Sequence, residues 1–278
     1  MPVKNISAII YFLIMLVSCQ TSDKTTDPPG NLAEKFKPFL NGYWVTSDYI
    51  DDLAKTRSPV KSSEKLTYIT EFSIDSTGLS GDSTHIGAAF GNHEGGDFIL
   101  YFRQGHLATS LVTGITDYDT ESNSYELGYV VNSHDTSLVL YHYDKNKKLL
   151  DKTKYTKAPA NKSGDGTLDG FQYLVNKRLI SGSYKIFDSS GQEMTSKLTS
   201  DGKITGFKEF RTYYIITDFA SEPENTTDQI CFEIQTKDQK CYGFEFRRDT
   251  LNLFEIPKDE MDTLFKPGPP VYKFVKQN

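Results

Sequence analysis

The sequence predicts an all-β fold, an antiparallel barrel with two similar halves and a few short helices. Three observations carry that expectation. Aromatic residues make up 13% of the 278-residue chain, with 17 Tyr and 18 Phe against a single Trp, an enrichment that suits pleated, half-buried surfaces. Short runs alternate apolar with polar residues, as Leu66, Tyr68, Phe72 and Ile74 do with Thr67, Glu71, Ser73 and Asp75, so each strand has one face to bury. The same succession of elements also occurs twice along the chain.

The N-terminal segment stands apart from this pattern. Lys4 precedes the apolar run AIIYFLIMLV at 8–17, about ten residues, which is too short to cross a hydrocarbon layer of roughly 30 Å as a helix. It reads as an export signal. Leu16-Val17-Ser18-Cys19, which closes it, resembles the lipobox of bacterial lipoproteins: a branched apolar residue and two smaller residues before a cysteine. The resemblance implies that residues 1–18 are a lipoprotein signal peptide, that cleavage falls before Cys19, and that palmitate-class chains are attached to its thiol and new amine. Such chains hold a protein on a membrane stably. A plain secretory signal with an accidental cysteine is the alternative. The resemblance further implies a lipid-anchored place in the bacterial cell envelope, and Gln20 after the cysteine implies the outer membrane. Residues 19–35, polar and containing Pro28-Pro29-Gly30, read as a flexible tether with a reach of roughly 20 Å.

Removal of residues 1–18 leaves 30 basic against 37 acidic residues, a net −7 in place of −6. Such a field repels nucleic acid and anionic headgroups, so no nucleic-acid partner is expected. With Cys19 assigned to lipid, Cys231 and Cys241 remain, in a compartment that permits disulfides. Both fall on the polar face of one expected hairpin, QICFEIQTKDQKCYGFEF. A loop of three to five residues makes them cross-strand or diagonal neighbours, bondable only in the first register. A disulfide and two free thiols both remain open.

Residues 36–278 are expected to form a single domain of two halves, 36–158 and 171–275, joined by the loop at 157–166. Each half opens with a short helix: Leu32, Phe36 and Phe39 at helical spacing after an Asn31 cap, then Phe171, Leu174, Val175 and Leu179. The helices run into Gly42-Tyr43-Trp44 and Gly182-Ser183-Tyr184. Further on, SYELGYVV at 124–131 parallels DQICFEIQ at 228–235, and SLVLYHYD at 137–144 parallels TLNLFEIP at 250–257. Many short strands at close spacing favour a barrel, which leaves no exposed edge. Here Gly42-Tyr43-Trp44, after a short helix, resembles the Gly-x-Trp opening of lipocalins and related calycin barrels. One enlarged barrel built from both halves, or two small barrels in tandem, fits the length; the single barrel is the preferred expectation because the joining loop is short.

A lipocalin-like barrel implies a cavity that takes a small, partly apolar ligand. The helical stretch from Asp48 to Ala54 lies where such barrels carry a lid, which makes Trp44, Tyr49, Leu53 and His142 candidate ligand contacts. Alternatively the helix plugs a barrel end, and Trp44 and His142 belong to the core. A second candidate is the glycine-released turn at 90–98, where His93, Glu94 and Asp97 could converge as metal ligands or as a histidine base with its orienting carboxylate; a polar hairpin turn is the plainer account. No metalloprotease, nucleophile-elbow or phosphate-loop motif occurs in the chain, so no catalytic residue is assigned and no cofactor is expected. The chain is expected to be a monomeric, non-enzymatic lipoprotein that binds or carries a small apolar ligand. The alternative is a surface or periplasmic module with a filled barrel that meets a protein or a glycan.

Overall fold

The structure is a computed structural model that describes residues 29–133, 135–159, 170–219, 227–256 and 268–277. Residues 1–28, with the export segment and Cys19, lie outside the described residues.

Among the described residues the fold is mostly β, with four short α-helices. The first half begins with helix α1 (Pro29–Leu40), two residues ahead of the expected Asn31 start, and strand β1 (Gly42–Thr46). Residues 29–35 of the expected tether are thus helical, because Leu32 and Ala33 are buried in the core. Two helices follow, α2 (Ser47–Thr56) and α3 (Pro59–Ser62). Then come β2 (Ile69–Ile74), β3 (Ser83–Phe90), β4 (Glu94–Gln104), β5 (Ser110–Thr113), β6 (Ser124–Asn132), β7 (Asp135–Tyr143) and β8 (Leu149–Ala158). Each strand pairs antiparallel with the next, and β8 returns to β1, closing the barrel.

The second half repeats the plan. Helix α4 (Gly170–Leu179) leads into β9 (Gly182–Asp188), β10 (Glu193–Leu198), β11 (Ile204–Thr205), β12 (Tyr213–Ile215), β13 (Gln229–Phe232), β14 (Lys240–Arg247), β15 (Thr250–Glu255) and β16 (Tyr272–Lys276). Its sheet order, β11-β10-β9-β16-β15-β14-β13-β12, is the cyclic order of the first barrel. The two edge strands are linked by a single bridge, Lys203 to Thr212, and by Ile204 N–H to the Arg211 carbonyl at 2.8 Å and Tyr213 N–H to the Gly202 carbonyl at 2.7 Å.

The single enlarged barrel is therefore corrected to two barrel-like sheets of eight strands. Each half supplies enough strands to satisfy its own backbone around a ring, and among the described strands none pairs across the halves. The strand order also corrects one repeat match: 124–131 belongs to β6, whose counterpart is β14, whereas 228–235 spans β13, the counterpart of β5.

Each half closes one end in the same way. Trp44 is fully buried and its Nε1 donates to the Leu40 carbonyl at 2.7 Å; the Tyr184 hydroxyl donates to the Ile180 carbonyl at 2.5 Å. Helix and strand meet at Gly42 (φ 120°) and Gly182 (φ 153°), where a Cβ would lie 2.9 Å from the Cε of Lys157 and Lys276 respectively. The lysine ends can swing aside, but the positive φ at both joints is a backbone conformation that favours glycine. Leu32, Ala33, Phe36 and Leu40 of α1 join Trp44, Phe72, Phe98, Phe102, Leu127 and Tyr155 in the first barrel's core. Full burial of side chains of this size contributes about 1.5–3 kcal/mol each.

The helix α2 does not lie over the first barrel's mouth. Tyr49, Ile50 and Leu53, all buried, sit in one apolar cluster with Phe171, Val175, Tyr213, Phe232 and Phe244 of the second half, and Tyr49 stacks on Phe171 with centroids 5.1 Å apart. This corrects the placing of Tyr49 and Leu53 as ligand contacts: the apolar face of α2 is buried against the other half. At the end of α2, Arg57 turns in the left-handed region (φ 53°) and lays its guanidinium 3.9 Å from the Phe246 centroid while its Nη1 donates to the Arg248 carbonyl. Val60 N–H donates to the Asp228 carboxylate at 2.8 Å. Burial pushes the Asp228 carboxyl above its ordinary range.

Candidate functional site

The mouth of the first barrel, opposite α1, gathers polar and aromatic groups from several elements. His142, near the end of β7, points inward with Leu138 and Leu140, as the alternation predicts. Its neighbours across the ladder are Tyr125 of β6 and Asp151 of β8. The Tyr125 ring therefore lies flat against the imidazole, with centroids 4.3 Å apart and planes 7° from parallel, and the Asp151 carboxylate sits 3.0 Å from His142 Nδ1. From the β5–β6 loop, Asp117 brings a carboxylate oxygen to 2.9 Å from His142 Nε2. Both contacts are hydrogen bonds at once only when the ring carries both protons. The histidine is 14% exposed and lies between two acids.

Asp117 is itself held. The Asn123 amide donates to it at 2.8 Å, and the backbone N–H groups of Asp119 and Thr120 donate at 3.0 and 3.1 Å. The Asn123 bond leads in keeping its carboxyl below the ordinary range, against the opposing effect of desolvation. Outward from His142 the rings continue: Tyr68 stacks on Tyr125 at 5.4 Å and meets Phe90 edge-on at 6.1 Å. Burial raises the pKa of both tyrosines. Tyr68 takes a left-handed backbone (φ 56°), costly for a bulky residue, and its hydroxyl donates to the Thr116 carbonyl at 3.1 Å. It is 36% exposed, and Tyr118, on the same loop as Asp117, is 89% exposed.

The glycine-rich turn does something else. His93, Glu94 and Asp97 do not converge: His93 Nδ1 lies 3.0 Å from the Asp218 carboxylate of the second half, and Asp97 lies 3.2 Å from His85 Nδ1 across the β3–β4 ladder. Asn92 donates to the Thr217 carbonyl at 2.8 Å. A left-handed Asn92 and Gly91 turn the hairpin toward the second half, so the segment read as a possible site is a joint between halves. Among the described residues no group of three or more His, Cys, Asp or Glu side chains is placed to hold a metal ion.

Trp44 lies in the core, with its N–H spent on backbone. Cys231 and Cys241 stand directly opposite in the β13–β14 ladder and are disulfide-bonded. The connecting loop runs over residues 233–239, longer than the three to five residues expected, yet the register is the one that permits the bond. One buried acid escaped the sequence altogether: Glu126, on the outer face of β6, accepts from the Ser110 hydroxyl at 2.6 Å and from the His106 backbone N–H at 2.8 Å, and bonds the His106 ring. These bonds tie the β4–β5 loop down, and Ser110 is fully buried.

The eight-stranded antiparallel barrels are consistent with a calycin-like fold. Compared with protein-family models, curated proteins and solved structures, the chain has no match.

Proposed function

We propose that the chain is an extracytoplasmic lipoprotein, anchored through Cys19, whose filled barrels present the mouth of the first barrel as a binding surface for a glycan. The observation that carries this reading is the row of rings Phe90, Tyr68, Tyr125 and His142, ending between the carboxylates of Asp117 and Asp151. At the outer end of this row Tyr68 and the exposed Tyr118 offer apolar ring surface to the C–H groups of a sugar, and the exposed Asp151 carboxylate accepts its hydroxyl protons. A carrier with its ligand deep in the first barrel needs space that Phe72, Phe98, Phe102 and Tyr155 occupy, so the surface module is favoured over the carrier. The lipobox-like Leu16-Val17-Ser18-Cys19 supports the anchor, and the Cys231–Cys241 bond suits an oxidising compartment.

Calorimetric titration of the detergent-solubilised mature chain with a panel of oligosaccharides tests the surface. Saturable binding that Tyr118→Ala and His142→Ala each weaken about tenfold or more is expected, since both remove contact groups. Native mass spectrometry that finds an apolar molecule bound, with no sugar binding, returns the reading to a carrier. For the anchor, Cys19→Ser is expected to leave the membrane fraction, and the mature N-terminus to carry acyl mass.

A further inference from the structure

The closed ends of the two barrels differ in one respect that their shared plan makes measurable. Asn132 opposite Asp135 closes the β6–β7 hairpin and Arg247 opposite Thr250 closes the β14–β15 hairpin, so Val131, Ser133 and Asp135 correspond to Phe246, Arg248 and Thr250. Trp44 and Lys157 likewise correspond to Tyr184 and Lys276, paired in register in both ladders. In the second barrel this position is filled by Arg57, stacked on Phe246 and bonded to the Arg248 carbonyl. Its charge reaches Tyr184, whose phenol burial pushes up to about 12 while Arg57 acts in the opposite direction. In the first barrel the same position is a groove of about 430 Å³ between the end of α1 and the hairpin, with Trp44, Phe39 and Val131 on its walls and Ser133, Asp135 and Lys157 at its rim.

We propose that this groove receives an arginine side chain presented by a partner protein. The second barrel shows what the frame accepts: a guanidinium laid on the residue at the Val131 position and donating to the carbonyl at the Ser133 position. Val131 is 56% exposed, whereas its counterpart Phe246 is half-buried with Arg57 over its ring. Asp135 adds a carboxylate where the second half has Thr250, and guanidinium bonds to carboxylates are stronger than those to neutral acceptors. Its Oδ1 accepts from Thr136 N–H at 2.8 Å, and among the described residues it makes no ion pair with lysine or arginine. Lys157 has its counterpart in Lys276, which pairs with Tyr184 in the same barrel that seats Arg57. A second copy of this chain is not the donor by the same contact, since its Arg57 is already seated within its own second barrel.

Trp44 is the only tryptophan of the chain and lines the groove, so its fluorescence reports occupancy. Titration of the mature protein with acetyl-Gly-Arg-Gly-amide is expected to give a saturable change in emission. The matching citrulline peptide should bind about tenfold more weakly or worse, and Asp135→Asn, at an exposed position, should weaken the arginine peptide about fivefold. Lys157→Ala should not weaken it, and His142→Ala at the opposite end should leave it unchanged, which separates this site from the glycan surface. Equal binding of the citrulline peptide, absence of saturation, or a response to acetate or methyl phosphate alone that Lys157→Ala abolishes would each overturn the proposal.

Discussion

Lys157 stands opposite Trp44 in the β1–β8 ladder and holds its ammonium 5.2 Å from the indole centroid. Beneath it, the indole N–H reaches back four residues to the Leu40 carbonyl at the end of α1. Helix, first strand and last strand are thus fastened at one residue. Trp44→Phe keeps most of the apolar volume but leaves that carbonyl without its donor, and the smaller ring leaves a gap. The loss expected is about 1–3 kcal/mol, read from urea unfolding; a change within about 0.5 kcal/mol would show that the fastening contributes little.

The packing of the halves against each other has its own test. A Cβ at Gly170, where α4 begins, would meet the Tyr43 and Ala158 side chains of the first barrel at 2.6 and 2.9 Å. Gly170→Ala is expected to destabilise by about 1–3 kcal/mol through overpacking. Gly95→Ala, which meets nothing within 4 Å, serves as the control, and equal behaviour of the two variants would deny the close approach.

A pH dependence follows at the other joint. The Asp218 hydrogen bond, followed by its charge, raises the His93 pKa above the ordinary value. Because the folded value lies above the unfolded one of about 6.5, the contribution of this pair is fully present below that pH and is lost as pH rises through the folded value. The midpoint of urea unfolding should therefore fall across that window. Asp218→Asn should flatten the profile, and an unaltered profile in His93→Ala would assign the effect to another group.

The disulfide closes a short loop, since its cysteines are ten residues apart. By loop entropy alone its removal in a Cys231→Ser, Cys241→Ser double variant costs about 2–3 kcal/mol. Thermal unfolding with and without reductant measures this, and the double variant should no longer respond to the reductant.

Much of the architecture was legible. Strand alternation is a local signal, so the faces of Leu138, Leu140 and His142 followed from spacing, as did the glycine joints at both helix ends. Closure of each half on itself was not, because it depends on which distant edges pair, and a strand pattern does not name its neighbour. The fate of α2 was hidden for a similar reason: an apolar stripe at Tyr49, Ile50 and Leu53 states that the helix must be covered and not by what. At the mouth, His142 was visible as an inward histidine. Asp117 and Asp151 come from a loop and a different strand, and neither shows a period. The His93 turn illustrates the converse, since residue types that suit a metal site also suit a clamp, and only the position of Asp218 decides between them.

The position of α2 bears on how the chain is made. Synthesised from its N-terminus, the polypeptide completes β1 to β8 before the strands that cover Tyr49, Ile50 and Leu53 exist. The first barrel can close early, but it does so with an adhesive helix in the open until the second has formed. Transiently exposed apolar surface of this kind is where multi-part chains aggregate. Maturation of this protein therefore has a vulnerable interval, bounded by the emergence of α2 and the pairing of β16, in which a holding chaperone has a defined surface to cover.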